Sequence, residues 1–205
     1  MILALETAST DTSVALAAVD GSLIALDARS GDHRQNGTLL PRILDVMGGR
    51  RFGELTRVAV GIGPGSFTGL RVGMSLAKGI AHGLAIPIVG IPSLAAWLDA
   101  EADAAGAICR AGAREAYLLP RGETEPIIVT PEDAAARSRE HRLVAAAELA
   151  SAFGLSDTRP PAKAAAAIAR LAPDVPAADL ATLEPRYGRP PRGLEPPREG
   201  AVRWL

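Results

Sequence analysis

Cysteine is almost missing from this chain, with one residue, Cys109, among 205. A single thiol excludes an internal disulfide and a cysteine-rich metal site. The three histidines, His33, His82 and His141, add no zinc-ligand spacing. Cys109 reads as a small buried apolar residue, and the histidines as surface or packing residues. Aromatics are scarce too, at 3%, so Ala, Leu, Val and Ile must fill the core that a 48% hydrophobic content permits. No run approaches the ~20 apolar residues of a membrane span. "MILALETAST" has no basic leader region, which gives the expectation of a soluble, cytoplasmic chain without membrane contact. Net charge is −1, so bulk electrostatics give no drive toward nucleic acid.

The order of apolar runs and turns is informative. "MILALE" reads as a buried strand ending in a Thr/Ser-rich turn. Asp20-Gly21 between two apolar runs signals a hairpin. "TLLPRILDVM" has helical spacing, with Thr38 as candidate cap, Pro41 in the first turn and Gly48-Gly49 as the stop. A β-branched strand (57–63), a long helix (67–85), a short strand in "IPIVGIP" and a helix capped by Ser93 follow. The pattern alone says α/β; three antiparallel strands followed by alternating β/α units resemble a ribonuclease-H-like half. The second half is thinner. It offers two short strands within "GAICRAGAREAYLLPRG" and a third in "EPIIVT", helices after Pro131 and over 162–173, a strand running into a helix in "RLVAAAELASAFG", and a Pro- and Arg-rich tail expected to wrap rather than pack as a domain. The division expected is residues 1–103 and a reduced unit of residues 104–205.

The stretch "GIGPGSFTGLRVG" joins a strand to a helix. A Gly-rich turn at a helix N-terminus can hold phosphate. No Lys follows Gly69, however, and Thr68 stands where a dinucleotide fingerprint has its third glycine. Gly69, Gly73, Ala77 and Ala81 form a small-residue ridge. Each helical glycine costs about 1 kcal/mol relative to alanine, so close contact along the ridge must offset it. That contact is either with another chain or within this one.

"GPGSFTGLRVGMSLAKGIAHGLAIPIVGIPSL", "ILALETASTDTSVAL", "TLLPRIL" and the late "PRYGRPP" together resemble the bacterial TsaB family, also called YeaZ. The likeness is strong over residues 2–95. It implies two ribonuclease-H-like domains of the α/β actin-like ATPase superfold. It also implies a non-catalytic subunit for threonylcarbamoyl modification of adenosine 37 in tRNAs reading ANN codons. In that family the chain pairs with its paralogue TsaD, which carries the metal and transfers the group, and the ATPase TsaE docks on the pair. ATP and metal then belong to the partners, no cofactor is expected on this chain, tRNA is met through the complex, and a homodimer is expected when the chain is alone. Aligned through "IPIVGIP", the metal histidines of TsaD fall on Ser93 and Trp97, and Trp does not ligate metal.

The partner face implied comprises Leu39, Leu40, Ile43, Leu44 and Met47 of the first helix, with Gly69, Leu70, Gly73, Met74, Ala77, Ile80 and Ala81 of the second. The signature loop comprises Gly63, Pro64, Gly65, Ser66, Phe67, Thr68, Gly69 and Arg71, with Ser66 and Thr68 as helix caps. Three departures stand out. Gln35 replaces a usual His, and Arg110 and Arg114 replace an Asp and a Gly in "RAGAREAY", while Glu115 and Tyr117 remain. A second reading is an ATP-dependent kinase or ATPase of the same superfold, with Glu6, Thr7 and Ser9 as nucleotide-site candidates and Asp11 as a turn residue. A third is a peptidase using Ser66, but "GPGSFTG" is not a nucleophile elbow.

Overall fold

β1 (Ile2–Glu6) has no polar face, since all five residues are buried, as in a central strand covered on both sides. The computed structural model describes residues 1–31 and 35–188. In it β1 pairs antiparallel with β2 (Thr12–Ala17) and parallel with β4 (Arg57–Gly61). β3 (Leu23–Arg29) and β5 (Ile88–Ile91) complete the order β3-β2-β1-β4-β5. The β2–β3 hairpin turns at Asp20-Gly21, where Gly21 N–H donates to the Ala18 carbonyl at 3.0 Å.

α1 (Gln35–Met47) and α2 (Phe67–Leu84) cover one face of this sheet. α1 begins earlier than the cap signal predicts. Thr38 and Pro41 lie inside it, so neither marks its start. Gly48 and Gly49 stop it with left-handed φ values of 56° and 80°. α3 (Ser93–Ala100) follows β5. Its N-cap is Pro92, and Ser93 instead accepts a hydrogen bond from Gly63 N–H at 3.0 Å. His33 lies outside the described residues, as do residues 189–205.

The second half repeats the first topology. β6 (Gly106–Arg110), β7 (Ala116–Pro120), β8 (Ile127–Val129), β9 (Leu143–Ala145) and β10 (Thr158–Arg159) order as β10-β9-β6-β7-β8. β6, β7 and β8 are antiparallel, and β6, β9 and β10 are parallel. This is the α/β actin-like, two-domain architecture. The second sheet is reduced in strand length and not in strand number, its last two strands having three and two residues. α4 (Pro131–Glu140) and α5 (Ala147–Phe153) accompany it. α6 (Ala164–Leu171) returns to the first sheet, packing on β1, β2 and α3. Residues 175–188 then run along that sheet's open side, with Ala178 N–H on the Ile88 carbonyl at 2.8 Å and Arg186 N–H on the Ile62 carbonyl at 2.7 Å. The strands of the first sheet thus lie within residues 2–91 and those of the second within 106–159, while the last helix and the segment after it lie against the first sheet.

One buried charge organises the α1 side. Arg42 is 1% exposed. Its Nε donates to Asp27 Oδ1 at 2.6 Å, Nη1 to Thr12 Oγ1 at 2.5 Å and Nη2 to the Thr12 carbonyl at 3.1 Å. The guanidinium thus ties α1 to β2 and β3. Arg42→Ala should lower unfolding free energy by about 3–5 kcal/mol, since it strands a buried polar set. Denaturant unfolding checks this. A loss near 0.5 kcal/mol, as for an ordinary surface change, would contradict it.

Candidate functional site

β4 ends at Gly61, and the chain turns through residues 62–66 into α2. Ser66 caps that helix, its Oγ accepting from Gly69 N–H at 3.2 Å. Thr68 lies in the first turn and is not a second cap. Ser66 N–H is already taken, donating to the Ala8 carbonyl at 2.6 Å. The loop is therefore laid directly on the β1–β2 turn. A Cβ on Gly65 would strike the Ala8 carbonyl oxygen, and a Cβ on Gly73 would strike Thr7 Oγ1. Both glycines are fixed by close approach within the chain.

The same contacts turn the small-residue ridge inward. Gly69, Leu70, Gly73, Met74, Ala77 and Ala81 are all buried, and so are Leu39, Ile43 and Met47 of α1. For those nine residues the partner-face expectation is corrected: their stripe already packs on the chain's own core and turn. The outward line differs. Leu40 and Leu44 are 48% and 52% exposed. Across from them on α2, Val72, Leu76 and Ile80 are half-buried, and Arg71 and Ser75 are exposed. Leu39, Leu40, Arg71, Val72, Ser75 and Leu76 line a groove of about 500 Å³ between the two helices. An exposed apolar strip of this kind marks an interaction surface more readily than isolated leucines do.

Between the two sheets lies a cleft of about 390 Å³, lined by the 8–10 turn, the signature loop, the end of β6 and the start of α5. Of the three nucleotide-site candidates only Ser9 lines it. Glu6 and Thr7 are fully buried beneath the turn, Thr7 against Gly73 and Glu6 against Gly61. Among the described residues, the charged side chains on the lining are Arg110 and Glu148. Burial holds nearby Asp11 above the usual carboxylate range, and Glu148 adds to this. One arginine balanced by carboxylates does not fit a triphosphate, which needs clustered cations. Among the described residues no three His, Cys, Asp or Glu side chains gather as a metal site. Arg110 instead sits over the Phe153 ring at 5.6 Å. Nor does His82 come near Ser66. His82 is sixteen residues beyond Ser66 along one helix, or about 24 Å at 1.5 Å per residue.

Ser93 and Trp97 are both fully buried. Under them Glu6 Oε1 accepts from Ala8 N–H at 2.6 Å. Burial raises the Glu6 pKa above its ordinary 4.5, with Ala8 N–H and Ser93 acting the other way. Burial, with the Glu6 charge beside it, also pushes the Cys109 thiol up, so it is no nucleophile. In the unfolded chain Glu6 ionises at its ordinary pKa, whereas the folded chain keeps the proton to higher pH. Its contribution is complete below about pH 4.5 and is lost as pH rises through the folded pKa. Glu6→Gln should therefore melt above the unsubstituted protein at pH 8 and converge with it in acid. Parallel melting curves against pH would show that Glu6 is not the titrating group.

Three features were not singled out from sequence: the buried Arg42, the Val72–Leu76 side of the groove, and a contact of Arg71 with Tyr187. Arg42 had a signal, because it falls three residues after Leu39 on the buried stripe. The Arg71 contact spans 116 positions and had none.

The family model for TsaD, tRNA N6-adenosine threonylcarbamoyltransferase, matches residues 37–157. The Escherichia coli tRNA threonylcarbamoyladenosine biosynthesis protein TsaB is 38% identical over 96 residues, which is 45% of this chain and 40% of that protein. The Haemophilus influenzae protein of the same name is 34% identical over 101 residues, 48% of this chain and 42% of that one. The matched stretches thus span about two fifths of each relative. In structure, YeaZ from Pseudomonas aeruginosa superimposes with a TM-score of 0.67 over 91% of this chain and 98% of its own, at 23% identity.

Proposed function

Because the chain belongs to the threonylcarbamoyltransferase family, in its TsaB/YeaZ branch, we propose that it is a non-catalytic subunit of the machinery that makes threonylcarbamoyladenosine at position 37 of ANN-decoding tRNAs. It acts by pairing with a TsaD relative and helping to bring the ATPase TsaE to the pair. The observation that carries this reading is the outward line of Leu40, Leu44, Val72 and Leu76 on two adjacent helices. Two helices presenting an apolar seam suit a four-helix contact with a structurally similar partner, or with a second copy when that partner is absent.

The non-catalytic part rests on packing. Ser93 and Trp97, where the paralogue has metal histidines, are buried, and Ser93 is committed to Gly63 N–H. Metal, ATP turnover and tRNA contact then fall to the partners, in the cytoplasm. No described helix is long and apolar enough to cross a membrane. The test is co-purification of the chain with the TsaD and TsaE relatives of the same cell, with ATP turnover assayed for each alone. The expected result is a stable pair and background turnover by this chain. Robust turnover by the isolated chain, lost on Ser9→Ala in the cleft, would favour the kinase-like reading instead.

A further inference from the structure

The rim of the α1–α2 groove carries one ordered cation. Arg71 stacks its guanidinium on the Phe67 ring, 3.9 Å from the centroid. Its Nε donates to Tyr187 Oη at 2.9 Å. Phe67 and Tyr187 contact each other, with ring centroids 4.9 Å apart. Tyr187 is held in turn by the returning segment, whose Arg186 N–H is on the Ile62 carbonyl at 2.7 Å. The side chain is exposed yet fixed on two sides.

Given that the α1–α2 face is the pairing face, we propose that Arg71 is a preformed anchor for a carboxylate on the TsaD-type partner. Among the described residues lining the groove, Arg71 is the one that is charged, beside Leu39, Leu40, Val72, Ser75 and Leu76. Its Nη1 and Nη2 make no hydrogen bond or ion pair among the described residues. A partner that covers the apolar groove also takes water from this guanidinium, and an unpaired cation there would oppose binding. A carboxylate removes that penalty and meets the guanidinium fork in bidentate geometry. Phe67 and Tyr187 have already restricted the rotamers, so less side-chain entropy is lost on binding. Arginine with tyrosine is also the side-chain chemistry that dominates interface hot spots. The occupant inferred is a partner surface that places an Asp or Glu among apolar residues. Tyr187 serves as a positioning residue, so the returning segment helps to shape the pairing face.

The experiment is a binding titration of the full chain against the TsaD relative of the same cell, at low and high salt, with melting midpoints measured in parallel. Arg71→Ala should weaken pairing by ~10- to 100-fold and flatten the salt dependence. Arg71→Lys should lose nearly as much, because an ammonium neither stacks nor forks. Tyr187→Phe, which keeps the ring, should lose ~3- to 10-fold. Arg71→Glu should be rescued by reversing one partner carboxylate to lysine. Arg71→Ala pairing within about threefold of the unsubstituted chain, while Leu40→Asp with Leu44→Asp abolishes pairing, overturns the anchor and leaves the face intact. Loss of self-association only, with partner affinity unchanged, also overturns it. Pairing insensitive to all these changes, or absent from the unsubstituted chain, overturns the anchor and the face together.

Discussion

Gly73→Leu should unfold or severely destabilise the chain before any effect on pairing can be read. The Cβ alone would meet Thr7 Oγ1, with Thr7 Cβ 3.3 Å away, and Thr7 is itself fully buried. Overpacking costs about 1–3 kcal/mol for modest insertions, and four extra carbons at this contact belong at or beyond the upper end. For a chain of this length ~3 kcal/mol lowers the melting midpoint by roughly 6–12 °C. The sign of a smaller change discriminates more sharply. On an open helix surface Gly→Ala gains about 1 kcal/mol. Gly79, whose Cβ would meet nothing within 4 Å, should show that gain, whereas Gly73→Ala should lose stability. Thr7→Ala should then restore part of the loss in a double-mutant cycle. Stabilisation by Gly73→Ala would mean that the ridge faces open space and that the inward packing of α2 is wrong.

Leu40→Asp combined with Leu44→Asp should have the opposite profile. Both leucines are about half exposed, so the folded chain should lose only about 1–2 kcal/mol, from the lower helix propensity of two Asp and their like charges at i,i+4. Pairing with the TsaD relative should fall by ~100-fold or more, since two carboxylates would have to be desolvated in an apolar seam. Sedimentation or a binding titration with matched melting curves checks both halves. Unchanged affinity would move the pairing surface elsewhere on the molecule.

Much of the architecture was legible because local rules and tertiary packing agree. The buried run Ile2–Glu6, the Asp20-Gly21 turn and the Ser66 cap each signal their structure within a few residues. The orientation of the helices was not legible in that way. α1 and α2 each carry two apolar stripes, and a 3.6-residue period says nothing about which stripe meets the sheet. The choice is made by Thr7 against Gly73 and by Arg42 reaching Thr12 and Asp27. Those contacts join residues tens of positions apart. Ser93 reads as a cap by type, but the loop N–H of Gly63 claims its hydroxyl. The return of α6 and residues 175–188 to the first sheet depends on contacts such as Arg57 Nη1 to the Ala172 carbonyl at 2.5 Å, which no periodic pattern encodes. In the cleft, "ETAST" makes Glu6, Thr7 and Ser9 candidates together because it resembles the phosphate-contacting first turn of kinase-like enzymes. Burial separates them, since strand alternation and the turn put only Ser9 on the lining.

The most direct test of the account is the threonylcarbamoyladenosine content of total tRNA, measured by nucleoside mass spectrometry after depletion of this chain. The modified nucleoside should fall on depletion and return with the unsubstituted chain. It should not return with a folded Leu40→Asp, Leu44→Asp variant. Content that stays at its starting level after depletion would contradict a role in this modification.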